Sequence, residues 1–272
     1  MLTILNSISS LNAENALSST QASLQKTLTE LSTGLRVNSG ADDAAGLSIA
    51  NGLQANISAL NQSSNNTSDG VGMLQTADGA LSQVTTMLNR AVTLATEASN
   101  GNLSSSQQTA LDNEYQSILT EIGTINTTTN YNGTAVFGAT PDIYVSDGTS
   151  GGSATLASTK ITAIDTTTLK LNSTKLDSSS DAQTALTAIT AAISTIAADR
   201  GTIGATVNQL NDAANVESTE TTNLQSAVNN VEDADIGQTV AQMTQFSVLE
   251  QTGMAALSQS NQVQESVLKL LQ

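Results

Sequence analysis

Histidine and cysteine are both missing from this chain of 272 residues. Without them the sequence has no ligand set for a zinc hydrolase and no partners for a Ser-His-Asp or Cys-His nucleophile. Without cysteine there are no disulfides either, so the redox compartment cannot be inferred from pairing. Carboxylates, hydroxyls and a few lysines are left for chemistry. The composition therefore predicts a protein that is not an enzyme and that holds no metal or cofactor.

Basic residues are scarce as well. Eight Lys and Arg face 24 Asp and Glu, a formal charge of −16. Nucleic acids and anionic membrane surfaces would repel such a chain, because both are bound through clustered cations. No apolar run approaches the roughly 18 residues that would span a membrane. The opening "MLTILNSISSLNAENAL" is amphipathic, so we expect export, if it occurs, without a cleaved signal peptide.

Aromatic residues make up 2% of the chain, and proline occurs once, at Pro141. A compact globule of this length normally fills its interior with several large rings. Leu, Ile, Val and Ala suit narrow seams between helices instead, and the near-absence of proline permits very long helices. We expect a mainly α-helical protein, an elongated antiparallel bundle or coiled coil.

Apolar residues near both ends recur at alternating intervals of three and four, the spacing of a coiled-coil seam. The final segment also carries polar residues in this register, at Ser247, Glu250, Asn261 and Gln264. Since a single narrow stripe leaves a helix marginal in water, we expect the two ends to lie side by side and to need neighbouring copies of the protein. The predicted seam residues are Leu17, Leu24, Leu28, Leu31, Leu35, Ile236, Val240, Met243, Met254, Leu257, Leu268 and Leu271.

Between the ends, helical spacing runs from Ile49 to Ala95 and stops at "ASNGN". A shorter helix follows, with Leu111 to Ile125 on one face. From Thr127 to about Ser180 the chain has turn pairs at 132–133, 147–148 and 151–152, with β-prone runs such as "DIYV" and "KITAI". We expect two or three small strands there, with disorder of part of this Ser- and Thr-rich stretch as the alternative. Helical spacing then returns from Ile189 to Val231.

The stretch "LSTGLRVNSGADDAAGLSIAN" breaks the first helical pattern with Gly34, Gly40 and Gly46. A phosphate-binding loop would need a different glycine spacing and a lysine, and a calcium loop would need alternating acids. Asp42 and Asp43 are better explained as a cap on the next helix, where carboxylates accept free amide protons. The acids of "VEDADIG", 231–237, are interpreted in the same way.

Arg36 is the cation of this stretch. It is either an ion-pair partner for the nearby acids or for a neighbouring subunit, or a solvated side chain. The sequence leaves these two interpretations open.

Two long stretches resemble a known family. "LSTGLRVNSGADDAAGLSIANGLQANISALNQSSNNTSDGVGMLQTADGALSQV" is similar to the N-terminal region of bacterial flagellins, and "VEDADIGQTVAQMTQFSVLEQTGMAALSQSNQVQESVLKLL" is similar to their C-terminal region. The resemblance covers roughly 1–130 and 185–272. It implies a homopolymeric filament subunit for swimming motility, exported through the flagellar type III channel to an extracellular filament. Flagellar cap, junction proteins and an export chaperone are the further partners it implies.

The resemblance also implies an arrangement in layers. Residues 1–45 and 233–272 would form an inner coiled coil that lines a central channel. Residues 46–180 and 181–232 would form an outer helical trunk with a small β-hairpin region and no further outer domains. The turn between the layers would be a spoke joint, built from Gly34, Arg36, Gly40, Asp42, Asp43 and Gly46.

Some flagellins are detected by an innate immune receptor, through residues that match Arg90, Leu94 and Glu114 here. In this chain Val92 and Thr93 stand where the family commonly has Arg and Glu, so packing within the filament is the alternative role for all three. A hook-filament junction protein, or a secreted adhesin or immune ligand, is the alternative for the chain as a whole.

Overall fold

The computed structural model describes residues 8–140, 142–145, 154–156 and 160–270. Within these residues lie five helices: α1 (Ile8–Thr33), α2 (Ala44–Ala98), α3 (Ser105–Thr128), α4 (Ser179–Glu232) and α5 (Ile236–Leu270). They also contain four short strands: β1 (Asn130–Tyr131), β2 (Thr134–Ala135), β3 (Ile143–Val145) and β4 (Ala154–Leu156). The strands form two antiparallel pairs, β1 with β2 and β3 with β4. The predicted mainly α-helical fold with a small β region is confirmed.

The helix ends follow signals in the sequence. The chain leaves α1 at Gly34, whose φ of +76° is readily accessible only to glycine. Helix α2 ends two residues before Asn100-Gly101, as predicted. Helix α3 begins with a capping box, in which the Ser104 side chain accepts from the Gln107 amide and the Gln107 side chain accepts from the Ser104 amide.

The β region follows the prediction in part. Asn132 and Gly133 have φ of 49° and 79°, as a tight hairpin turn requires, and they join β1 to β2. The run "DIYV" contains β3. The run "KITAI", 160–164, is not a strand, so that prediction is wrong. The predicted turns at 147–148 and 151–152 lie outside the described residues.

Ile161 shows why the run "KITAI" does not form a strand. Its backbone accepts from Gly138 N at 2.8 Å and donates to Ala139 O at 3.1 Å, so a loop uses its hydrogen-bonding groups. Ile164 N donates to the Asn126 side chain at 2.9 Å. Both isoleucines are buried in the core. The apolar spacing of "KITAI" is therefore explained by two isoleucines that a loop buries in the core, although the same spacing is typical of a strand.

The chain divides into two compact units, which we call the terminal unit (Met1–Ala55 and Asn223–Gln272) and the central unit (Asn56–Thr222). In the central unit α2 and α4 are antiparallel, with Arg200 Nε donating to Asp78 Oδ1 at 2.7 Å. Helix α3 adds Tyr115, Leu119 and Ile122 to a continuous apolar core. The α2 and α4 residues of this core recur at heptad spacing, which gives the narrow seam that the composition predicts.

Candidate functional site

Helices α1 and α5 of the terminal unit lie side by side and run antiparallel. Near the start of α1, Ser10 Oγ is 2.8 Å from Ser260 Oγ, toward the end of α5. Eleven residues further along α1, Gln21 Nε2 donates to Glu250 Oε1 at 3.1 Å. Residue numbers that rise along α1 therefore pair with numbers that fall along α5, and the two helices contact each other over much of their length.

The α1 face of this contact follows the predicted register with one exception. Leu17, Leu24, Leu31 and Leu35 are partly buried. Leu28 is 47% exposed and does not pack in this contact within the single chain, so its place in a seam shared between copies stays a prediction. Thr27, 3% exposed, takes the inward position. Its hydroxyl donates to Ser23 O at 2.9 Å, so its burial leaves no unpaired donor.

The α5 face agrees less well. Met243 and Leu257 are partly buried, together with the polar Ser247 and Glu250. The side chain of Leu268 and the whole of Leu271 lie outside the described part of the chain. Three predicted residues are exposed and do not pack in the contact within one chain. They are Ile236, Val240 and Met254.

Small and polar residues take the inward positions of α5 instead. Thr239 is buried next to Val240 in the sequence. Gly253 precedes Met254, and a Cβ placed on it would lie 3.3 Å from Leu17 Cδ1. The backbone of α5 therefore approaches α1 closely at this point, which a larger residue would hinder.

Large apolar side chains are exposed on the other sides of the two helices. Val248, 54% exposed, and Leu249 are adjacent and both in solvent. A soluble monomer rarely exposes many such residues together, and where it does they mark an interaction surface. We call the following residues the exposed apolar set: Ile8, Leu11, Leu28, Ile236, Val240, Val248, Leu249, Met254 and Val263.

The predicted joint between α1 and α2 is tied to the connection between α4 and α5. Arg36 N donates to Glu232 O at 2.6 Å, and Ala234 N donates to Gly34 O at 2.9 Å. Leu35 and Asp233 form an isolated antiparallel bridge. The glycine-rich break is therefore ordered by backbone pairing with the other end of the chain.

Asp43 caps α2, as predicted. Its Oδ1 accepts from Gly46 N at 2.9 Å and from Ala45 N at 3.1 Å. A Cβ on Gly46 would lie 2.5 Å from Asp43 Oδ2, so the glycine leaves room for the cap. Asp235 caps α5 in the same way, through Gln238 N at 3.1 Å. Gly40, by contrast, has ordinary surroundings and a φ that other residues adopt.

Asp42 serves the turn before α2 and not the helix itself. Its Oδ2 accepts from Ser39 N at 3.0 Å and from Ser39 Oγ at 2.9 Å. Its Oδ1 lies 3.0 Å from Lys26 Nζ. The hydrogen bond from Lys26, followed by that from Ser39, lowers the pKa of Asp42, and the same hydrogen bond raises the pKa of Lys26. Sequence reasoning missed Lys26, which is 16 positions away and has no signal in the motif.

Within the described part of the chain Arg36 pairs with none of the nearby acids, and its pairing with a neighbouring subunit stays a prediction. Its Nη2 donates to the backbone carbonyl of Val231 at 2.6 Å. The side chain is exposed, and none of the ion pairs between described residues includes it. Arg36 therefore holds the end of α4 to the joint through a main-chain oxygen.

The residues of the predicted immune-receptor surface separate into two groups. Arg90 Nε donates to Glu114 Oε1 at 2.8 Å, which links α2 to α3 through two exposed side chains. Leu94 is 1% exposed and belongs to the core of the central unit. The inclusion of Leu94 in an exposed surface is therefore wrong.

Among the described residues, no three acidic side chains come together in a way that could hold a metal ion. None of the described helices has a stretch long and apolar enough to cross a membrane. What distinguishes this chain is a pair of end helices whose contact mixes leucines with small and polar residues, while other large apolar side chains of the same helices are exposed. The class that this arrangement defines is a helical subunit built to associate.

Comparison with known proteins gives the family. The model of the bacterial flagellin N-terminal helical region matches 4–141, and that of the C-terminal helical region matches 186–271. A flagellin of Halalkalibacterium halodurans is 33% identical over 250 residues, 91% of each chain. A flagellin of Bacillus subtilis is 30% identical over 304 residues, 98% of each chain. The chain belongs to the bacterial flagellin family.

A solved structure of Bacillus cereus flagellin is also similar, with 31% identity and a TM-score of 0.48, covering 60% of this chain and 94% of that one. As a member of this family the protein is a structural subunit of the bacterial flagellar filament, and it serves motility. Members of the family associate with themselves, and the filament they form is extracellular.

Proposed function

We propose that the terminal unit is the part of this subunit through which neighbouring copies pack in the filament. The observation that carries the proposal is the contrast between the two sides of the α1–α5 pair. Thr27, Thr239 and Gly253 face inward, while the exposed apolar set faces solvent. Burial of such residues between copies contributes about 25 cal/mol per Å² of apolar surface. Neighbouring copies of the chain then cover the exposed apolar set that a single copy leaves in solvent.

Order and assembly are coupled in this proposal. A helix pair held by a narrow, partly polar contact is marginal alone, since most helical stability comes from packing. Residues 1–45 and 233–272 gain their full order on assembly and line the central channel as an inner layer. Residues 46–180 and 181–232 form the outer layer, without further outer domains.

The joint acts as the spoke between these layers. Gly34 turns the chain out of α1, Asp42 and Asp43 fix the turn and the start of α2, and Arg36 holds the end of α4. Gly40 and Gly46 complete this joint. Because both backbone pairings and side-chain caps hold it, the joint is a fixed connection between α1 and α2.

The route and the partners follow from the same role. The subunit leaves the cell through the flagellar type III channel, and its partners besides its own copies are the flagellar cap, junction proteins and an export chaperone. It is not an enzyme and carries no cofactor. Its charge of −16 is unsuited to nucleic acid and anionic membranes. If an immune receptor binds this chain, the exposed Arg90 and Glu114 are the residues that support it.

Seeded polymerisation of the purified chain, viewed by negative-stain electron microscopy, tests the proposal. The matched variant lacks Ile236 to Gln272, and therefore lacks α5 while keeping the central unit. We expect long helical filaments from the intact chain and none from the truncated one. Filaments of equal length from both would contradict a packing role for the terminal unit. Short collars from the intact chain would favour the junction-protein alternative.

A further inference from the structure

Of the threonines that are buried in the described part of the chain, one differs from the others in how its hydroxyl is used. Thr27, Thr206 and Thr239 each donate to the carbonyl four residues earlier in their own helix, at 2.8–3.0 Å. Thr67, 1% exposed, makes no such bond, and its Oγ1 is buried without a hydrogen-bond partner among the described residues. The hydroxyl of Thr67 is therefore available to a group outside its own helix.

A second buried oxygen without a partner belongs to Glu217, which is 4% exposed. Glu217 Oε1 accepts a hydrogen bond from Ser63 Oγ at 2.5 Å. Its other oxygen, Oε2, is buried and has no hydrogen-bond partner among the described residues. None of the ion pairs between described residues includes Glu217. Because a buried polar atom without a partner is costly, both this oxygen and the Thr67 hydroxyl call for one.

The two unpartnered atoms belong to the same short stretch of the contact between α2 and α4. Ser63 and Thr67 are four residues apart on α2, so they are neighbours on one face of the helix, with Cβ atoms about 5–6 Å apart. Since Glu217 accepts from Ser63, its carboxyl group lies about one helical turn from Thr67. The two atoms do not bond to each other directly. One molecule that makes a hydrogen bond to each of them would span roughly 5 Å, which suits this separation.

The side chains around this point are small. Because α2 and α4 are antiparallel and Ser63 bonds to Glu217, Thr67 four residues further along α2 faces position 213 of α4. That position is Ala213, which is partly buried. Serine, threonine and alanine fill less of the contact than the leucine at the buried position 74 does. They leave space at this level for a molecule of the size of water.

The hydrogen-bonding groups also match water. Thr67 Oγ1 can donate and Glu217 Oε2 can accept, and a water molecule accepts from the first and donates to the second. Buried waters in proteins typically bind about three polar groups that would otherwise be unsatisfied. A cation such as Ca²⁺ takes about six to eight oxygen ligands, more than the side chains of Ser63, Thr67 and Glu217 supply.

We propose that Thr67 Oγ1 and Glu217 Oε2 bind one ordered water molecule inside the central unit. The water completes a chain of hydrogen bonds from Ser63 through Glu217 and the water to Thr67, and so joins α4 to two successive turns of α2. The site lies beyond the continuous apolar core, which begins at Leu74 on α2. In this part of the contact between the two helices, a bound water supplies the cohesion that leucines supply elsewhere.

Electron cryomicroscopy of purified filaments tests the site directly, at a resolution that shows ordered water. We expect a density peak within about 3.2 Å of both Thr67 Oγ1 and Glu217 Oε2. The peak should remain in Thr76→Val and be absent when Thr67→Val is combined with Glu217→Met. Thr76 is the matched control, because it lies on the same helix and its hydroxyl donates to Gly72 O at 2.8 Å.

The map of the parent chain decides the matter even if a variant fails to fold. A map without a peak at this position would overturn the proposal, as would a direct hydrogen bond between the side chains of Thr67 and Glu217. A peak surrounded by about six oxygens at about 2.4 Å would identify a cation and would also overturn it.

Urea unfolding of the full-length chain before polymerisation tests the site without filaments. Thr67→Val and Glu217→Met keep the size of each side chain and remove the oxygens that bind the water. If both residues hold one water, either change releases it, so the second change costs less than it does in the parent chain. We expect the unfolding constant of the double variant to rise by about threefold less, or smaller still, than the product of the two single increases.

The control cycle replaces Thr67→Val by Thr76→Val, about 13 Å further along α2. At that separation the increases from Thr76→Val and Glu217→Met should multiply, since distant sites act independently. Increases that also multiply for Thr67→Val and Glu217→Met would contradict a water shared by the two residues.

Discussion

The carboxylate of Asp43 occupies the space that a side chain on Gly46 would need. Asp43 Oδ1 accepts from Gly46 N at 2.9 Å, and a Cβ on Gly46 would lie 2.5 Å from Asp43 Oδ2. The cap and the glycine therefore form one device at the start of α2. Each requires the other, which explains why a glycine stands inside the first turn of a helix where it otherwise weakens the structure.

Gly46→Ala is expected to leave the chain about 1 kcal/mol less stable than a Gly→Ala change elsewhere in α2, because Asp43 must rotate away and the cap is lost. Gly52→Ala is the matched control, since Gly52 is exposed on the same helix and a Cβ there meets nothing within 4 Å. That change should stabilise by about 0.5–1 kcal/mol. Thermal unfolding followed by circular dichroism measures both. Equal shifts of the same sign would contradict the role given to Asp43.

The ion pair of Lys26 and Asp42 makes the joint sensitive to pH. The pKa of Asp42 is lowered from 3.8, so its contribution is present above that pH and is lost as the pH falls through the lower folded value. The pKa of Lys26 is raised from 10.5, so its contribution is present below that pH and is lost as the pH rises through the higher folded value.

Asp42→Asn should therefore lower the melting temperature at pH values between the folded pKa of Asp42 and that of Lys26. The difference from the parent chain should vanish in stronger acid. Asp212→Asn provides the comparison, since Asp212 is an exposed acid of α4 that takes part in none of the ion pairs between described residues. A difference that stays constant down to pH 2 would show that the ion pair does not contribute.

Tyr115 makes the stability of the central unit fall at alkaline pH. Its hydroxyl is 2.5 Å from Thr174 Oγ1, which itself donates to Leu171 O at 2.7 Å, so the tyrosine is the donor. Burial raises the pKa of Tyr115 above 10.0. The resulting contribution to stability is complete below pH 10 and is lost as the pH rises through the folded value.

Tyr115→Phe is expected to cost about 1 kcal/mol at neutral pH, the value of one buried hydrogen bond. The same variant should lose less stability than the parent chain between pH 10 and 11. Melting curves over this range decide the matter, and parallel losses in the two chains would speak against the assignment.

Substitutions of Arg90 and Leu94 are expected to lower stability by very different amounts, although the two residues are one helical turn apart. Leu94→Ala should destabilise by roughly 2–5 kcal/mol, because the side chain is buried in the core. Arg90→Ala should cost less than about 1 kcal/mol, since its ion pair with Glu114 is exposed. Urea unfolding separates them. If Leu94→Ala proved harmless, the burial of this residue would have to be reconsidered.

The long-range architecture could be predicted from the sequence because it depends on local signals. Heptad spacing specifies α2 and α4, and their ends coincide with Asn100-Gly101 and with the acids before Gly237. The hairpin turn at Asn132-Gly133 needs no information beyond two residues. Signals of this kind lie within a few neighbouring positions of the chain, so they can be interpreted without knowing how the helices pack.

What could not be predicted depends on contacts between distant residues. Thr27 and Leu28 are both compatible with the leucine pattern of α1, and only the position of α5 makes the threonine the inward one. Lys26 reaches Asp42, and Arg36 reaches the carbonyl of Val231, 195 residues away. The prediction of a strand at "KITAI" is wrong because burial of Ile161 and Ile164 produces the same apolar pattern as a strand.

The exposed pair Val248 and Leu249 offers the most direct test of packing between copies. Substitution of both by Ser removes apolar surface from α5 without touching the inward Thr239 or Gly253. Val216→Ser is the matched control, because Val216 belongs to the central unit and is 65% exposed. The measurement is the rate of seeded filament growth at fixed subunit concentration. We expect growth to fall at least tenfold in the double variant and to be unchanged in the control; growth at the parent rate in the double variant would contradict the packing role of the terminal unit.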